Sequence, residues 1–71
     1  MNPPITEFQR RALLALIDME AARKGITRRE RQKWKHHLFS LIREWYGCKY
    51  SILPYNHFEE AALRLLRKPL N

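Results

Sequence analysis

One cysteine, Cys48, and two glycines, Gly25 and Gly47, are all that this 71-residue chain holds of those types. A lone thiol excludes a disulfide framework and a thiolate zinc site within one chain, and it fits a reducing interior. Long apolar runs are missing too. The longest, Ala12 to Ile17, falls far short of the roughly 20 residues that a membrane span needs. Internal repeats and low-complexity tracts are absent, and no basic, apolar and cleavable leader opens the chain, which starts Met1, Asn2, Pro3, Pro4. The expectation is therefore a cytosolic protein, complete as it stands, in the host cell's cytoplasm if a phage encodes it. Negative charge is scarce: 7 Asp and Glu stand against 14 Lys and Arg, a formal charge of +7.

What is present is a globular composition, 45% hydrophobic and 30% charged. A chain this short buries only about 60% of the surface its unfolded form exposes, so residues 1–71 are expected to form a single domain around one thin core. A water-excluding catalytic cleft does not fit that size, no catalytic signature appears, and neither an enzyme activity nor a cofactor is expected.

Helical spacing dominates. Thr6 with Gln9, and Thr27 with Glu30, have the spacing of capping boxes, in which each side chain satisfies a backbone N–H that a helix start leaves orphaned. They predict helices over 6–24 and 27–46, stopped by Gly25 and Gly47, since glycine tolerates the left-handed conformation common at helix ends. In the first helix Ile5, Phe8, Ala12, Ala15, Leu16, Met19 and Ala22 recur as one apolar stripe, taken as the core face. Leu13, Leu14 and Ile17 lie off it and are assigned to contact with an oligomer mate or a partner. In the second helix Trp34, Leu38, Leu41, Ile42 and Trp45 make the buried face. Residues 48–54 read as a short extended linker. Asn56 with Glu59 opens a third helix over 56–68, with Phe58, Ala62, Leu65 and Leu66 inward and Pro69 ending it. The fold class is all-α, a compact three-helix domain.

The positive charge is concentrated. Residues 1–20 carry a net −1, residues 21–49 a net +7 and residues 50–71 a net +1. Arg28, Arg29, Arg31, Lys33, Lys35, His36 and Arg43 are the candidate residues for binding nucleic acid or an acidic partner. Arg29, Lys33, His36, Ser40 and Arg43 fall on one helical stripe. Crowded like charge repels itself unless a partner neutralises it, and phosphates or acidic protein surfaces are the common partners. Three arginines in the first turn also oppose the helix dipole, a local conflict of the kind found at functional surfaces. Ala21, Gly25, Ile26 and Thr27 have the spacing of a helix-turn-helix, which would aim the second helix at duplex DNA, although Glu20, Lys24 and Arg31 stand where that motif is apolar.

Other chemistry-bearing residues read as structural. His36 and His37 diverge by about 100° on a helix and cannot easily share an ion, so no metal site is expected. Cys48 is read as a small apolar residue, Glu59 and Glu60 as first-turn dipole partners, and Tyr46, Tyr50 and Tyr55 as a lid on the core's edge.

Residues 27–67, and above all the run LFSLIREWYGCKYSILPYNHFEEAALRLL, resemble the C-terminal domain of phage antirepressor proteins. In that pattern an amphipathic helix ends in an aromatic and a glycine, here Tyr46 and Gly47. An extended stretch then leads to a proline, here Tyr50 to Pro54, and Phe58, Ala61 and Ala62 open a final helix. The resemblance implies a phage or prophage regulator that grips another protein, such as a repressor or a defence protein of the host, and that self-associates through helix one. The alternative is a small basic transcriptional regulator that lays helix two on DNA.

Overall fold

Thr6 and Thr27 each start a helix by the same device. In the computed structural model, which describes residues 3–67, the Thr6 Oγ1 accepts from the Gln9 N–H at 3.1 Å and the Gln9 Oε1 accepts from the Thr6 N–H at 3.0 Å. The Thr27 and Glu30 pair repeats the exchange at 3.1 and 2.9 Å. The resulting helices are α1 (Glu7–Lys24) and α2 (Arg28–Tyr46), and a shorter α3 (Phe58–Arg67) completes an all-α domain of three helices. The ends of α1 and α2 agree with the expectation from spacing, because a capping box and a following glycine are local signals.

The two glycines act differently. Gly47 takes the left-handed conformation, φ 70°, and its N–H closes α2 on the Arg43 carbonyl at 2.7 Å. Gly25 does not: its φ is −105°, an ordinary value for any residue. It is needed because α2 passes against it. A Cβ there would meet the backbone N of Arg31 at 2.6 Å and the carbonyl carbon of Glu30 at 2.8 Å.

The core is built from Ile5, Leu13 and Ile17, Leu38 and Ile42, Leu53, and Ala61 and Leu65. Helix α1 packs on both α2 and α3 and so runs through the middle of the domain. Its inward face is the reverse of the expected one. Leu13 and Ile17 are fully buried and Leu14 is half-buried, whereas Phe8, Ala12, Ala15, Met19 and Ala22 face outward; of the expected stripe only Ile5 is buried and Leu16 half-buried. Leu13 and Ile17 contribute about 1.5–3 kcal/mol each by their burial. On α2, Leu38 and Ile42 are buried as expected, while Trp34, Leu41 and Trp45 are half-buried. On α3 the buried pair is Ala61 and Leu65, Phe58 and Ala62 are half-buried, and Leu66 is exposed.

The connection from α2 to α3 is not extended throughout. Tyr50–Ile52 and Tyr55–His57 are single 3-10 turns, and Asn56 lies inside the second rather than capping α3. Between them Leu53 and Pro54 are extended and pair antiparallel with the residues that lead into α1. The Ile5 N–H donates to the Leu53 carbonyl at 2.8 Å and the Tyr55 N–H to the Pro3 carbonyl at 2.7 Å. Pro4 and Pro54 face each other across this bridge at the one kind of position where neither residue needs an N–H. The bridge brings Ile5 and Leu53 into the core together. The expected last residue of the third helix, 68, and its stop at Pro69 lie outside the described residues.

Candidate interaction surface

Glu30 is the one carboxylate inside the basic cluster, and the capping box occupies it. Its Oε1 accepts from the Ile26 N–H at 3.0 Å and the Thr27 N–H at 2.9 Å. Those backbone donors, with the Thr27 hydroxyl and nearby Lys33, hold its pKa below the usual carboxylate value. The charge that could have quenched the arginines points back into the turn instead.

Arg28, Arg29, Lys33, His36 and Arg43 are all exposed and make no ion pair with a carboxylate among the described residues. From Arg29 to Arg43 the stripe runs about 21 Å along α2 at the helical rise. Two of the expected binding residues are engaged within the chain. Lys35, half-buried, pairs through Nζ with Asp18 of α1 at 3.0 Å, tying the helices together about two turns from their junction. The Arg31 guanidinium donates to the Ile26 carbonyl at 3.2 Å, folding back over the turn. Arg28, Arg31 and Lys35 with Asp18 line a shallow concavity of about 330 Å³ between α1 and α2.

Beside the cluster two apolar groups reach the surface. Ile26, at the tip of the turn, is 89% exposed. Trp34 is half-buried with its ring edge-on to His37 at 5.6 Å. The positions that a helix-turn-helix would fill with apolar residues are polar in fact as well as in sequence. Glu20 is buried and accepts from Arg23 Nη1 at 2.9 Å, Lys24 is half-buried and Arg31 is exposed.

The residues assigned to apolar partner contact are placed otherwise. Leu13 and Ile17 lie in the core, which removes them as a docking surface, and Leu14 is half-buried. The apolar residues that α1 exposes are instead Phe8, Ala12, Ala15, Met19 and Ala22.

At the other end of the molecule, a groove of about 650 Å³ opens between Trp45 on α2 and Leu63, Arg64 and Arg67 on α3. The Arg64 guanidinium carbon lies 5.5 Å from the centre of the Trp45 ring and 5.7 Å from that of Tyr46. The Tyr46 hydroxyl donates to Glu60 Oε1 at 2.8 Å. Partial burial first, and that hydrogen bond second, push the Tyr46 pKa up to about 12. Glu60 is thus a partner for Tyr46 as well as a first-turn acid. No local signal reveals this groove, because its walls are brought together by the turn through Cys48 to His57.

Cys48 is half-buried against the core's edge. Among the described residues no group of three or more His, Cys, Asp or Glu side chains converges to hold a metal ion, and no helix is long and apolar enough to cross a membrane. In comparison with known proteins, no family model, no curated protein and no solved structure matches the chain.

Proposed function

We propose that this protein is a small regulatory module of phage or prophage type that works by binding another protein, a repressor or defence protein, through the basic face of α2. The observation that supports this most is the exposure of Arg28, Arg29, Lys33, His36 and Arg43 without ion pairs among the described residues, while Glu30 is held by the capping box. Charge left open in this way favours an acidic partner and speeds the encounter with it. Next to it Ile26 is exposed at the turn and the half-buried Trp34 lines one concavity with Lys33 and His37, and arginine and tryptophan are both enriched at protein-binding hot spots.

A second reading has its own support. Arg28 and Arg29 stand exposed on the first turn of α2, where the start of a recognition helix meets duplex DNA.

The experiment uses the full chain and an Arg28→Ala, Arg29→Ala variant, each immobilised against a prophage-bearing bacterial lysate with and without nuclease. A protein retained by the wild type after nuclease treatment, and lost by the variant, is the expected result. Equal retention by the variant would remove α2 as the contact. Sub-micromolar binding of duplex DNA near physiological salt, with a sequence preference, would favour the second reading. Binding without preference that collapses as salt rises would not, because any domain of this charge shows it.

A further inference from the structure

On α1 the outward residues Phe8, Ala12, Ala15, Met19 and Ala22 recur at intervals of four, three, four and three, which is the heptad spacing of a coiled-coil seam. All five are exposed, Phe8 at 81% and Met19 at 60%. We infer that this seam pairs with the same seam on a second copy of the chain, the two α1 helices running antiparallel. The inference is independent of what the basic face of α2 binds.

Three features point to a second copy as the occupant. First, the seam is complementary to itself in size. Antiparallel pairing that sets Ala12 of one copy against Ala15 of the other also sets Phe8 against Met19, at both ends of the two-fold. Small residues in the middle let the axes approach to the near end of the usual 8–10 Å range, and the large side chains close the flanks. Second, the residues beside the seam are complementary in charge. In this register Arg11 of each copy, which pairs with Glu7 in its own chain at 3.1 Å, lies across from Asp18 of the other, which pairs with Lys35. Both side chains are still more than half exposed, at 77% and 56%, so each can take a second partner, twice per dimer. Sliding by one heptad, so that Phe8 would meet Ile26, puts Asp18 across from Asp18; like charge disfavours that register. Third, the four layers lie on the least basic part of the chain. Residues 1–20 carry a net −1, with Arg23 and Lys24 at the far end of α1, and antiparallel pairing sends those ends and the arginine-rich turns after them to opposite ends of the dimer. Parallel pairing would place them side by side.

Four such layers make a small interface beside the roughly 1,200–2,000 Å² of stable complexes, so the dimer forms with concentration rather than being permanent.

Sedimentation of the full chain from micromolar to millimolar concentration tests this, with circular dichroism as the check that each variant folds. The wild type passes from monomer to dimer, Met19→Glu stays monomeric, and Arg11→Glu weakens the dimer by roughly three- to tenfold, since it sets like charge against Asp18 at two exposed places. Orientation is read by oxidation in a Cys48→Ser background. A mixture of Arg11→Cys and Asp18→Cys chains cross-links to each other, and Arg11→Cys alone does not. A wild type that stays monomeric at millimolar concentration overturns the inference. So does a dimer indifferent to both Met19→Glu and Phe8→Glu, or ready cross-linking of Arg11→Cys to itself. Should Met19→Glu fail to fold, the Phe8→Glu and Arg11→Glu arms decide.

Discussion

Gly25 and Gly47 end helices for different reasons, and the difference is measurable. At Gly25 the backbone dihedrals suit any residue, but an added methyl meets backbone atoms of α2 at 2.6 and 2.8 Å, which cannot swing aside as a side chain would. Gly25→Ala is therefore expected to lose about 1–3 kcal/mol as the two helices are pushed apart. Urea unfolding at neutral pH checks it; a variant as stable as the wild type would mean that α2 gives way freely. Tyr46 offers a test of a different kind. Its hydroxyl ionises near pH 10 in an unfolded chain and only near about 12 when folded, so the folded state prefers the protonated form. The stability that follows is fully present below pH 10 and is lost as pH rises from there towards about 12. Tyr46→Phe should show a shallower fall across that window than the wild type. These two residues also mark what a sequence conveys at this scale. Glycine after each helix was readable as a stop, but neither the close passage at Gly25 nor the bond from Tyr46 to Glu60, 14 residues away, has a local signal.

Among the elements, α1 holds the sharpest contrast between what was legible and what was not. Its start and end were written in Thr6, Gln9 and Gly25, because capping is settled within a turn of chain. Its buried face was not, since both sides satisfy the helical period: Phe8, Ala12, Ala15, Met19 and Ala22 on one, Leu13, Ile17 and Ala21 on the other. Glu20, buried beside Ala21 and paired with Arg23, made the true inner face look polar. A substitution pair separates the faces: Ile17→Ala is expected to cost about 2–5 kcal/mol, as a core deletion does. Ala15→Ser on the outer face should stay within about 0.5 kcal/mol at concentrations where the chain is monomeric. Equal losses would mean that both faces are covered in the monomer. The pairing of residues 3–5 with 53–55 belongs to the same lesson. Two prolines in an apparently unstructured lead and linker gave no hint that they would meet, because contacts 50 residues apart leave no periodic trace.

For the whole molecule the distribution of charge sets stability against the proposed binding. Helix α2 begins with Arg28 and Arg29, exposed on the very turn where the helix dipole prefers negative charge. Its only acidic neighbour in that turn, Glu30, is already engaged with the Ile26 and Thr27 N–H groups, so it relieves the turn's own orphaned donors rather than the arginines. The fold thus holds two cations where its own electrostatics disfavour them, by about 0.3–1 kcal/mol each at low ionic strength. Replacing both with alanine also improves helix propensity slightly. The Arg28→Ala, Arg29→Ala variant is therefore expected to be more stable than the wild type by about 1 kcal/mol and, under the proposed function, to bind an acidic partner less well. Exposed charges are screened beyond a Debye length of about 10 Å at 0.1 M salt, so the gain in stability should shrink as salt is added. Thermal melts of both chains across a salt series measure it. Were the variant less stable at low salt, Arg28 and Arg29 would be supporting the fold, and the basic face would lose its standing as a surface held ready for a partner.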